Sequence, residues 1–262
     1  MAMLEGKVAI VWGGGGVIGS AVAERFAHDG AKVFLAGRTR SKLDKVAAAI
    51  GAAGVAVVDA LDEDATRRCA DDVVAAAGRI DVSLNAVGII HVQGTPFMEL
   101  SLADYEQPIH AYARTHFVTA KAVARPMLAQ QSGVILSIST PASRRSFKGV
   151  LGFGVTCSAI EAIARQLSGE LGPHGIRVVC LRPDAIPETV ARGSHARDVF
   201  APFAARAGIT LEAMLAGSAA GTLLGRSPML AEIAATAAFV ASPDGGALTA
   251  TTLNLSCGSV VD

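Results

Sequence analysis

Apolar and polar positions along the chain fall into two alternating patterns. Short continuous apolar runs at residues 8–12, 32–36, 55–58, 81–86, 134–139, 176–181 and 248–255 have the length expected of buried strands. Between them lie stretches with helical periodicity. The first carries Ile18, Val22 and Phe26 on one face and ends at Gly30; others span 41–50, 63–77, 101–128, 150–171 and 228–241. This alternation predicts a single-domain α/β fold: a Rossmann-like, doubly wound, mostly parallel seven-stranded sheet with helices on both faces and right-handed crossovers. No internal repeat or linker-like composition divides residues 1–262. Segment 188–227, rich in Ala and Gly, breaks the alternation after the sixth strand. Ligands in such sheets bind beyond the C-terminal strand ends, so this segment is expected to be a substrate lid, or else a surface helical pair.

Composition narrows the picture. Of 262 residues, 51% are hydrophobic and 18% charged, enough for a large core. Lys plus Arg equals Asp plus Glu at 23 each, which argues against nucleic acid or an anionic membrane as a partner. No apolar run spans a bilayer and no signal-like segment opens the sequence, so a cytoplasmic protein is expected. Cys69, Cys157, Cys180 and Cys257 lack metal-ligand spacing and read as reduced thiols.

The stretch KVAIVWGGGGVIGSAVAERFAHDG carries the first chemistry. A strand enters four glycines and a helix leaves them, the phosphate-binding unit of a nucleotide fold. Two registers fit. Gly14, Gly16 and Gly19 make G-x-G-x-x-G; Gly13 and Gly19 are the outer members of a G-x-x-x-G-x-G pattern with Val17 in its middle position. Further pieces follow in order: Asp59 after the third strand, Asn85-Ala86-Val87-Gly88 after the fourth, Ser139-Thr140 after the fifth and Arg182-Pro183 after the sixth. A tail runs from Leu224-Gly225-Arg226-Ser227-Pro228 to Asn254 and Gly258.

In this order the sequence resembles the short-chain dehydrogenase/reductase family over essentially its whole length. The resemblance implies a nicotinamide dinucleotide held by Gly13, Gly14, Gly15, Gly16, Val17, Ile18 and Gly19, with Asp59 and Ala60 at the adenine edge. Asn85, Ala86, Gly88, Pro183 and Thr189 would line the path toward the nicotinamide. Where an acid at the end of the second strand would accept bonds from a ribose 2′-OH, this chain has Gly37, then Arg38, with Arg40 and Lys42 nearby. A missing carboxylate beside a guanidinium favours NADP(H) over NAD(H). Trp12 stands where the family usually has Thr.

The same resemblance implies a catalytic Tyr, a Lys four residues later, a Ser and an Asn. They fall on Phe153, Cys157, Thr140 (with Ser139 beside it) and Tyr112. Phe153 transfers no proton and Cys157 carries no positive charge. Thr140, Ser139 and Tyr112 are therefore the remaining catalytic candidates, Tyr112 with an unperturbed phenol near ~10. His91 is a further acid/base candidate or a surface-loop histidine. Cys157 is a nucleophile only if a base adjoins it, and otherwise a buried structural thiol. Arg144, Arg145 and Lys148 are expected either to clamp an anionic substrate group or to be a solvated loop.

Three functions are consistent with this set: an oxidoreductase acting on a small carbonyl or alcohol through a non-standard site, a catalytically silent dinucleotide-binding or regulatory protein, and a non-redox enzyme such as a dehydratase or isomerase. The family's two long helices usually build an interface, which implies a homo-oligomer here, a tetramer or dimer.

Overall fold

The computed structural model describes residues 2–261. Its centre is β1 (Val8–Trp12). Val8, Ile10 and Trp12 enter one core cluster, while Ala9 and Val11 enter the other. Burial on both faces is why the strands read as unbroken apolar runs rather than alternating ones.

Around β1 lie β2 (Lys32–Gly37), β3 (Gly54–Val57), β4 (Val82–Asn85), β5 (Gly133–Ile138), β6 (Ile176–Pro183) and β7 (Thr251–Leu255). The order is β3-β2-β1-β4-β5-β6-β7 and every pair is parallel. The expected doubly wound sheet is therefore present. One face carries α1 (Val17–His28), α2 (Arg40–Ile50) and α9 (Leu230–Ala241), as Val22, Leu43 and Ala237 in the second cluster show. The other carries α3 (Glu63–Ala77), α4 (Leu102–Gln130) and α5 (Leu151–Leu171), through Val73, Val123 and Ile160. The direction of winding reverses between β1 and β4, which opens a crevice at their C-terminal ends.

Segment 188–227 is helical: α6 (Pro187–Ala191), α7 (His195–Arg206) and α8 (Leu211–Ala220). The last strand is shorter than its apolar run. The Leu248 N–H turns back to the Gly245 carbonyl and Ala250 takes φ 56°, so pairing with β6 begins only at Thr251. Conversely β6 extends to Pro183, because Arg182 and Pro183 pair in register with Asn254 and Leu255. Among the described residues no single helix is long and apolar enough to cross a membrane, and no three His, Cys, Asp or Glu side chains gather as a metal site.

Candidate active site

The glycine turn sits at the crevice. Gly13 has φ +78°, and a Cβ there would meet the Ala86 carbonyl oxygen at 2.5 Å; a Cβ on Gly19 would collide with the Gly13 carbonyl. These two outer glycines of the second register are the ones the backbone packing requires. Gly14 is also close, its absent Cβ 2.9 Å from Leu35 Cδ2. Gly16 is the N-cap of α1, exposed and without a side-chain cap. The first N–H groups of α1 thus have no side-chain acceptor, the arrangement that suits a phosphate. Val17 and Ile18 pack against Ile186, Leu230 and Ile233, so the branched Cβ at residue 17 has a packing role. Trp12 does not intrude on the turn: it is buried in the opposite cluster and its indole N–H donates to Ser83 Oγ at 3.1 Å.

At the end of β2, Arg38 is exposed and makes no hydrogen bond among the described residues, whereas Arg40 is paired with Asp44 at 2.8 Å. The stem of Lys42 lies against Gly15, 3.1 Å from where a Cβ would stand. Asp59 is exposed, with Oδ1 accepting from Leu61 N at 3.0 Å, and Ala60 is buried beside it. Asn85 is buried and held from both ends: Nδ2 donates to Thr119 Oγ1 at 3.0 Å, and Oδ1 accepts from Val87 N at 3.1 Å.

Beyond β4, β5 and β6 opens a cavity of about 310 Å³. Its wall includes Ile18, Asn85, Ala86, Gly88, Tyr112, Ser139, Thr140, Phe153, Cys157, Pro183 and Thr189, while residues 13–17, Gly19, Arg38, Asp59 and Ala60 lie off it. Arg144, Arg145 and Lys148 are exposed and none lines it; the Arg145 guanidinium stacks over Phe147 at 4.7 Å. The loop therefore aims none of these three cations into the cavity.

The hydroxyls and imidazoles on the wall differ in what they have left to offer. Tyr112 OH accepts from Ile89 N at 3.0 Å and faces the Ile89 carbonyl at 3.3 Å; burial pushes its ionisation well above the ordinary phenol range. A phenol held in its protonated form has no base function at neutral pH. It anchors the 89–91 loop instead. Ser139 Oγ is committed to Glu161 Oε1 at 2.9 Å. Thr140 Oγ1 meets only Cys157 Sγ at 3.2 Å and Ala142 N at 3.3 Å. Cys157 is fully buried, and burial raises its thiol to about 11, so the structural-thiol reading holds.

His91 is not a surface-loop residue. It is buried, with Nδ1 on the Ile89 carbonyl at 2.8 Å and Nε2 against Gln93 Nε2 at 2.9 Å, and burial lowers its pKa to about 4. Both nitrogens are occupied and the ring is neutral.

The sequence reading did not single out three groups. His116, one turn beyond Tyr112, lines the cavity with Nδ1 on the Tyr112 carbonyl at 2.8 Å. Glu161 pairs with Arg182 at 2.8 Å; burial pushes that carboxyl up, but bonds from Arg182, Ser143 and Ser139 outweigh it and hold the carboxyl below its usual range. His195, the first residue of α7, lies on Gly88 so closely that a Cβ there would strike its ring. Neither His195 nitrogen is hydrogen-bonded among the described residues, and burial lowers its pKa. The i, i+4 spacing of Tyr112 and His116 offered a signal for one of these; His195 comes from the weakly periodic segment and had none.

Comparison with known proteins agrees with this architecture. The family profile described as enoyl-(acyl carrier protein) reductase matches residues 15–259. Tropinone reductase-like 2 of Erythroxylum coca is 33% identical, covering 92% of this chain and 86% of its own. The (+)-cis,trans-nepetalactol synthase of Nepeta racemosa is 31% identical over 72% of this chain and 71% of its own. A solved structure described as a short chain dehydrogenase/reductase family protein superposes with TM-score 0.78 at 29% identity, covering 98% of each chain. The chain belongs to the short-chain dehydrogenase/reductase family of oxidoreductases, whose members bind a nicotinamide dinucleotide.

Proposed function

We propose that this protein is an NADP(H)-preferring oxidoreductase that interconverts a carbonyl and an alcohol on a small molecule, with the family's Tyr/Lys pair replaced by Phe153 and Cys157. The observation that carries the reading is the cradle of Gly13 and Gly19 under the uncapped N-terminus of α1, beside a carboxylate-free β2 end bearing Arg38. The glycine turn 13–19 fits a pyrophosphate, Arg38 and Lys42 a 2′-phosphate, Asp59 and Ala60 the adenine edge. Asn85, Ala86, Gly88, Pro183 and Thr189 border the nicotinamide half. The dinucleotide supplies or accepts the hydride.

The chain's own groups then position and protonate. Thr140 Oγ1, bonded among the described residues to a thiol and a backbone N–H, turns its proton to a substrate oxygen when the Cys157 thiol is the donor in their contact. Ser139 holds Glu161, and Tyr112 holds the loop. His195 is the titratable side chain on the wall that keeps both nitrogens free, and it takes the proton-handling role on a lid built from α6, α7 and α8. Exposed apolar residues on α4 and α5, Phe117, Leu151 and Val155, support a homodimer or tetramer through these helices in a cytoplasmic protein; gel filtration at a monomer's volume would exclude it.

Titration calorimetry with NADPH and NADH, followed by nicotinamide absorbance over a panel of cyclic and linear ketones, tests the reading. Tighter binding of NADPH with measurable oxidation is expected. Failure to bind either dinucleotide overturns it.

A second reading, a silent binding protein or a non-redox enzyme, is favoured by the simultaneous replacement of the phenol and its cation and by a relative named as a synthase. NADPH bound but never oxidised across the panel would select it.

A further inference from the structure

One face of α7 lies along the loop that follows β4. His195, Val199, Phe203 and Arg206 recur on it at helical spacing. His195 rests on Gly88, where an added Cβ would come within 2.2 Å of its ring. Phe203 rests on Gly94, where a Cβ would stand 2.8 Å from its Cδ2 and 3.1 Å from its Cα. The Arg206 guanidinium bonds Thr95 Oγ1 beside that second seat. Val199, between the two, is buried and lines the cavity.

Gly94 is itself backed by main chain. Its N–H donates to the Gly149 carbonyl at 2.7 Å, and a Cβ on Gly149 would meet the Gly94 Cα at 2.7 Å. Both have positive φ, +83° and +74°, which side-chain-bearing residues rarely adopt. The loops after β4 and β5 therefore meet here with no side chain between them. Phe203 lines the cavity whereas Gly94 and Gly149 do not, so its ring stands between the cavity and this junction. Phe147, Phe153, Phe200 and Leu215 share the wall, and among the described residues no Lys or Arg lines it. The space suits an uncharged, apolar body.

We infer that Phe203, seated on the Gly94–Gly149 junction, is the fixed end wall of the cavity and sets the upper length of the apolar molecule the protein accepts. The inference rests on reading this cavity as the substrate site. A ring backed by packed main chain moves only if a backbone moves with it, and overfilling such a space is costly. A ligand too long for the wall loses contacts elsewhere instead of pushing the ring aside.

Two ketones that share a head test this: 4-methylcyclohexanone and 4-phenylcyclohexanone, titrated by ligand-observed NMR into the unmodified protein, Phe203→Ala and Gly94→Ala. In an open apolar site the phenyl ketone, with more apolar surface to bury, binds tighter. Against the end wall the methyl ketone is expected to bind tighter. Phe203→Ala, a half-buried helical position, should reverse the order, moving the ratio of the two affinities at least roughly tenfold. Gly94→Ala drives the ring from its seat and should move the ratio the same way by less. General loosening of the fold would weaken both ketones together, so the ratio is the readout, and Phe203→Ala decides alone if Gly94→Ala does not fold. Equal or tighter binding of the phenyl ketone by the unmodified protein, an unchanged ratio in either folded variant, or no binding of either ketone overturns the inference. Binding is read without hydride transfer, so such a failure leaves the dinucleotide titration untouched. A protein that shows the expected order but binds no NADPH would lose only the redox reading.

Discussion

The phenyl ring of Phe153 lies face to face with the imidazole of His91, centroids 4.3 Å apart and planes 19° from parallel. Tyr112 meets the edge of the same pair at 6.1 Å. Three rings and the Ile89 backbone thus pack together on one side of the cavity. Behind them, Cys157 and Thr140 share a single contact. This corner of the cavity is packed and hydrogen-bonded, not a gap.

Restoring the pair is the most direct challenge to that arrangement. Phe153→Tyr with Cys157→Lys is expected to raise NADPH oxidation on the ketone panel by about 10²-fold, the lower end of what positioned acid–base groups contribute. Cys157→Lys alone should destabilise the fold, because it buries an ammonium where a thiol is 0% exposed. Steady-state rates and thermal melts of the single and double variants check both points, and a double variant no faster than the parent counts against the proposed loss.

Acid should weaken the protein before carboxylates titrate. His91 and His116 each have a folded pKa of about 4, below the unfolded value of 6.5. Between those values the unfolded chain binds more protons than the folded one, so stability is full above about pH 6.5 and falls as pH drops toward 4. Each ring contributes a slope of up to about 1.4 kcal/mol per pH unit. Urea unfolding at pH 7, 6 and 5 reads the slope, to which His195, also lowered by burial, adds, and His116→Gln should flatten it; an unchanged slope in that variant would exclude His116 as a source.

Cofactor choice should follow Arg38. With Gly37 before it and no carboxylate to receive a ribose hydroxyl, Arg38→Ala is expected to weaken NADPH about 10- to 100-fold, in line with loss of a charge-assisted pair. NADH should change by less than about threefold, a surface charge far from contact contributing little. Equal losses for both dinucleotides would place Arg38 outside the 2′-phosphate site.

The glycines should not be equivalent. At Gly13 a side chain faces both φ +78° and the Ala86 carbonyl, and at Gly19 the Gly13 carbonyl. Alanine at either is expected to cost about 1–3 kcal/mol through backbone strain or displacement. Alanine at Gly217, in α8 with nothing within 4 Å of its Cβ, should be neutral or stabilising. Denaturant midpoints of the three variants decide the order.

Much of the fold was legible because its signals are local. The apolar run of β1, the Gly13 turn and the amphipathic face of α1 are set by neighbours a few residues apart, and seven such units left few topologies open. Strand ends were less legible: β7 starts at Thr251 rather than 248 because Ala250 bends the chain, a matter of how β6 is already placed. The glycine register was also open until Ala86 O was seen against Gly13.

At the candidate site, the chain itself determined which functional groups exist: that positions 153 and 157 hold no phenol or ammonium, and that Gly37 and Arg38 end β2. Only the tertiary structure decided which of the remaining groups are free to act. It bonded Tyr112 to Ile89, buried His91 against Gln93, drew Glu161 to Arg182 across 21 residues, and set His195 of α7 on Gly88. A side chain's chemistry is carried by its own atoms. Its availability depends on hydrogen-bond partners and burial that come from distant parts of the chain.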